Sequence, residues 1–142
     1  MARLVIVVLL TSALLVPPLA SASGGHRTLK LTLTGRRAIP RGAKHAHARA
    51  RIAIRGRNVC WKFTHVRGLD HKRQARAFID KAIPGEFGPI MVKLGKRYHA
   101  RGCVNTKKGL ARQIALSPQG FYLTINTRKH PLGAMRAQLG KI

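Results

Sequence analysis

Between residues 45 and 54 the chain alternates with a period of two. His45, His47, Arg49 and Arg51 stand between Ala46, Ala48, Ala50 and Ile52, and Ile54 continues the apolar set. Successive side chains of a strand face opposite sides. The pattern therefore makes a strand with one small apolar face and one face of imidazole and guanidinium. A helix of 3.6 residues per turn would scatter both sets around its axis. A strand with one apolar face needs a sheet, and the sheet needs a second apolar layer to cover it.

Other segments supply those partners. Residues 28–34 alternate Leu29, Leu31 and Leu33 with Lys30, Thr32 and the flanking threonines. Arg55-Gly56-Arg57-Asn58 reads as a hairpin turn, after which Val59, Trp61 and Phe63 form the inward face of a further strand ending at Gly68-Leu69-Asp70. Residues 75–80, 90–94, 121–126 and 134–139 are four more short strands. Residues 35–42 and 83–89, rich in Gly and Pro, are loops, and 95–109 is a polar, basic connection. Leu110 and Ile114, four apart, predict one short helical turn near residues 110–116, stopped by Pro118 and Gly120. Short strands at this spacing predict an all-β antiparallel sandwich.

Arg3, an apolar run over 4–16, Pro17-Pro18 and the small-x-small Ala20-Ser21-Ala22 read as an export signal over 1–22, cleaved after Ala22 or nearby. An uncleaved anchor is the alternative, although the run falls short of the ~20 residues of a membrane helix. No later segment is apolar enough to span a bilayer. A short lead-in covers 23–30, within which the first strand begins, and a single domain covers 31–139. Aromatics make up only 5%, so the core must be built from Ile, Leu, Val and Ala. The two cysteines, Cys60 and Cys103, read as one disulfide in an exported chain, the alternative being two buried thiols.

Particular residues resemble the CHRD domain, the module repeated in the secreted antagonist chordin and found alone in exported bacterial proteins. The carriers are Leu33-Thr34-Gly35 with Ile39-Pro40, Cys60-Trp61 with Phe63, and Gly85 with Gly88-Pro89-Ile90, Val92 and Leu94. Gly102-Cys103, then Ile114, Pro118, Phe121-Tyr122 and Asn126-Thr127, and finally Pro131 with the run from Gly133-Ala134 to Gln138-Leu139 complete the series. The likeness spans residues 31–139. It implies a Greek-key β-sandwich, immunoglobulin-like or superoxide-dismutase-like, in a secreted module without enzymatic activity. The family's "A-H-I-H" is here Ala77-Phe78-Ile79-Asp80, and its later strand histidine is Asn126. Those histidines resemble the copper ligands of copper/zinc superoxide dismutase, so their replacement argues against a metal or polar site at these positions.

Lys and Arg number 28 against 3 Asp and Glu, a formal net charge of +25 on 142 residues. The three carboxylates, Asp70, Asp80 and Glu86, are expected to stay ionised beside basic neighbours. No nucleophile elbow, P-loop or zinc-protease helix is present, so no enzyme and no cofactor is expected. Trp61 reads as a core plug beside the disulfide rather than a ligand platform.

The charge predicts docking on anionic polymers. The candidate residues are Arg36, Arg37 and Arg41 in one loop, Arg49, Arg51, Arg55 and Arg57 along a strand and its turn, and Lys93, Lys96 and Arg97 further on, in a stretch that continues through Arg101, Lys107 and Lys108. Outside a cell the polymers are teichoic acid, lipopolysaccharide, acidic polysaccharide or extracellular DNA, and a protein partner is also open. The competing readings are non-specific basicity, an anionic-membrane-active protein, and copper or zinc binding. The metal reading uses His45 and His47, two apart on one face, or an N-terminal site at His26.

Overall fold

The computed structural model describes residues 26–141. The expected export signal over 1–22, and Gly24 and Gly25, which precede His26 in the alternative N-terminal metal reading, lie outside the described residues.

The alternation over 45–54 becomes β2 (His47–Arg55), in which Ala48, Ala50, Ile52 and Ile54 are buried while Arg49, Arg51 and Arg55 are exposed. It lies between β1 (Arg27–Thr34) and β3 (Asn58–Arg67). Val59, Trp61 and Phe63 point inward from β3, as their spacing predicts. The β2–β3 turn is two residues long, and Gly56 takes a left-handed φ of 58°, a conformation glycine adopts without strain.

The chain then crosses to β4 (Arg76–Lys81) and β5 (Ile90–Lys93), returns as β6 (Arg101–Asn105), and crosses again through α1 (Leu110–Leu116) to β7 (Phe121–Asn126) and β8 (Met135–Gln138). The helical turn forms where the sequence places it and buries Ala111, Ile114 and Ala115. Arg27 anchors it by donating to the Ala115 carbonyl at 2.7 Å.

β6 corrects the sequence reading, which takes 95–109 as a connection. Among the described residues only β3 pairs with β6, which is an edge strand. An edge strand with Gly102 at its inward position carries too little apolar alternation to announce itself.

All pairings are antiparallel, in the order β5-β4-β7-β8-β1-β2-β3-β6. A single residue pair, Thr34 with Arg136, joins β1 to β8. The expected sandwich is thus one sheet folded over into two four-stranded leaves, β1-β2-β3-β6 and β5-β4-β7-β8. β6 comes back beside β3 and β7 beside β4, the Greek-key return. One apolar core fills the space between, with Leu33, Ile52, Ile54 and Val59 from the first leaf against Ile79, Leu123, Ile125 and Met135 from the second. Each such fully buried aliphatic side chain contributes about 1.5–3 kcal/mol over exposure.

Candidate functional site

The outward faces of the two leaves differ. The second leaf is covered. The loop between β4 and β5 lies over it, and Phe78, Asp80, Tyr122, Thr124 and Arg136 are buried beneath. The Tyr122 hydroxyl accepts from the Gly88 amide at 3.2 Å, and the Arg136 guanidinium donates to the carbonyls of Glu86 and Ile83. That guanidinium stacks 3.5 Å from the centre of the Tyr122 ring. Gln138 donates to the Ala82 carbonyl at 2.8 Å.

The family's histidine positions fall on this covered face, as Phe78 and Asp80 of β4 and Asn126 of β7. No imidazole stands at these positions, but polar atoms do. Asp80 Oδ1, Thr124 Oγ1 and Asn126 Oδ1 are all buried without a hydrogen-bond partner. Burial raises the Asp80 carboxyl to about 6, against the opposing pulls of the Thr124 hydroxyl and the Arg136 charge. The Thr124 hydroxyl acts by proximity and dipole; its geometry falls short of a formed hydrogen bond. Asp80 is thus held above the usual carboxylate range, because desolvation outweighs its cationic neighbour. Burial lowers the pKa of Arg136, and Tyr122 and Asp80 oppose that shift. Asp70 does pair as expected, with Lys129 at 3.9 Å in solvent, while Glu86 makes no ion pair among the described residues.

The first leaf is open to solvent, and register builds its surface. Lys30 of β1 lies opposite Arg51 of β2, Arg51 opposite Lys62 of β3, and Lys62 opposite Arg101 of β6. One cation from each strand forms a row across the leaf, about 4.8 Å apart at strand spacing. A second row, Thr32–Arg49–Thr64, runs beside it. A shallow cleft lined by Lys30, Thr32, Arg49, Arg51, Lys62 and Thr64 occupies this face. None of β1, β2, β3 or β6 contains an Asp or Glu.

Of the predicted docking residues, the structure puts Arg49 and Arg51 at the centre of this face. Arg55 and Arg57 lie at its hairpin end, where Arg57 donates to the Thr106 carbonyl at 3.2 Å. Arg36 and Arg37 form a 3-10 turn after β1, and Arg41 follows in the same loop. Lys93 sits on β5 of the other leaf, and Lys96 and Arg97 follow in the β5–β6 loop. These residues do not join the rows. Arg101, from the basic stretch that begins at Lys93, does join them, and so do Lys30 and Lys62, which the sequence reading did not name as docking residues. Alternation marked Lys30 and Lys62 as outward-facing, but only register aligns them with Arg51.

His45, His47 and His65 share a shallow depression with Arg49 and Arg67 at the end of the face. His65 takes a φ of 52° where the β2–β3 register slips, and such a bulge re-aims a side chain. Among the described residues, no group of three His, Cys, Asp or Glu is placed to hold a metal ion. His26 is exposed just ahead of β1. Trp61 is a core side chain, 5% exposed, and its indole donates to the His99 carbonyl at 3.0 Å. Cys60 and Cys103, directly opposite in β3 and β6, are bonded.

An all-β sandwich with one covered leaf and one open leaf defines the class. The chain matches the family model of the CHRD domain over residues 7–139 and belongs to that family, a family of non-enzymatic modules. No curated protein and no solved structure matches the chain. Among the described residues no helix is long and apolar enough to cross a membrane.

Proposed function

We propose that this CHRD-family chain is an exported, non-enzymatic binding module. It docks anionic polymers of the cell envelope or exterior on the open face of its first leaf. The row Lys30–Arg51–Lys62–Arg101 carries this reading. Like charges directly opposite one another in a sheet destabilise it. A row of four with no interleaved acid lowers stability, and an anionic ligand relieves that strain. Arg49 flanks the row and adds a guanidinium fork for phosphate, sulfate or carboxylate, with the Thr32 and Thr64 hydroxyls beside it.

The test is equilibrium binding of the full chain to a sulfated polysaccharide, a teichoic acid and duplex DNA across a salt series. Selective binding of one polymer that survives physiological salt, and is lost in Arg49→Glu/Arg51→Glu, supports the face. Equal affinities that collapse together with salt mean counterion release alone and refute it.

A further inference from the structure

The joint between the two leaves is a second surface, which adjoins the polymer-docking face at Lys30 and Thr32. Among the described residues β1 and β8 pair at Thr34–Arg136 and at no other position. Beyond that bridge, among the described residues, the β8-facing side of β1 and the β1-facing side of β8 carry no strand partner. Between them runs a groove of about 830 Å³, lined in part by Leu31, Leu139 and Pro84 of the covering loop. That volume lies within the range of ligand-binding clefts. Arg136 also lines it, but its guanidinium is committed to the covering loop. The remaining charges on the lining are Lys30, Arg36, Arg37 and Lys141, and no carboxylate lines it.

We infer that this seam takes an acidic, extended peptide segment of another protein as an added strand. Unpaired strand edges recognise a peptide backbone, since they present amides and carbonyls at its own spacing, and an extended peptide docks on such edges by main-chain hydrogen bonds. The cationic rim selects acidic side chains. A second copy of this chain fits poorly. It holds 3 acidic residues in all, and the only one in a described strand, Asp80, is buried in β4.

The probe is a dye-labelled short peptide of alternating Glu and Val, titrated with the full chain and followed by fluorescence anisotropy. Two further versions carry N-methyl groups at alternate residues, in the two registers, which keeps every charge but removes the amide donors of one edge. The expected result is binding of the parent, with a loss of about tenfold or more in one methylated register. Arg36→Glu/Arg37→Glu weakens it comparably, while Arg49→Glu/Arg51→Glu leaves it within about twofold. No binding of the parent overturns the inference, as do unchanged affinities of both methylated peptides. Loss in Arg49→Glu/Arg51→Glu alone also overturns it, since the peptide then sits on the open face. Failure of polymer binding leaves this result untouched.

Discussion

Gly102 and Trp61 determine each other. The two are paired across β3 and β6, and a Cβ on Gly102 would lie 2.5 Å from the indole ring. The indole lies across the edge strand because Gly102 leaves it room. Gly102→Ala is therefore expected to cost about 1–3 kcal/mol through overpacking, read by chemical denaturation, and Trp61→Phe in the same chain should recover part of the loss. A neutral Gly102→Ala would contradict the packing. Asp80 gives a second prediction. Its folded pKa of about 6 lies above its ordinary value of 3.8. An acid held this way keeps its proton longer when folded, so stability falls as pH rises from about 4 to about 6. The loss is about 3 kcal/mol at most. Asp80→Asn should flatten this part of the profile and stabilise the protein near neutral pH. Urea midpoints at pH 4, 6 and 8 for both proteins check it, and parallel profiles would contradict it.

The cationic row belongs to the scale of strands, because no single residue creates it. Lys62→Gln relieves repulsion with Arg51 and Arg101 and is expected to raise stability by about 0.2–1 kcal/mol while weakening polymer binding. A binding module that trades stability for function should show both effects together, in thermal unfolding and in titration. β6 depends on β3 alone for its pairing, and the Cys60–Cys103 bond closes a separation of 43 residues. Cys60→Ser/Cys103→Ser is expected to cost about 4 kcal/mol in the chain-entropy account, seen as a lowered unfolding midpoint.

Strands with strong alternation, β1 to β3, were legible in the sequence because their inward faces are continuous. β6 was not, since an edge strand with glycine facing inward has no apolar period to read. Register was not legible either. It depends on turn length and on the bulge at His65, so the alignment of Lys30, Arg51, Lys62 and Arg101 stayed hidden. The buried Asp80 cluster was missed for another reason. A carboxylate beside many cations reads as solvated until a covering loop is known to lie over it.

At the scale of the molecule, folding sorts the charge. Of the three acids, Asp80 is buried in the second leaf, Glu86 sits in the loop above it, and Asp70 pairs with Lys129 outside the strands. The strands of the first leaf contain none, so its open face is a continuous cationic surface. The most direct measurement is a residue-resolved NMR titration of the full chain with a sulfated polysaccharide at physiological salt. The account predicts that backbone shifts concentrate on Lys30, Thr32, Arg49, Arg51, Lys62, Thr64 and Arg101. Shifts spread evenly over Lys93, Lys96, Arg97, Lys107 and Arg112 as well would show attraction without a site and contradict it.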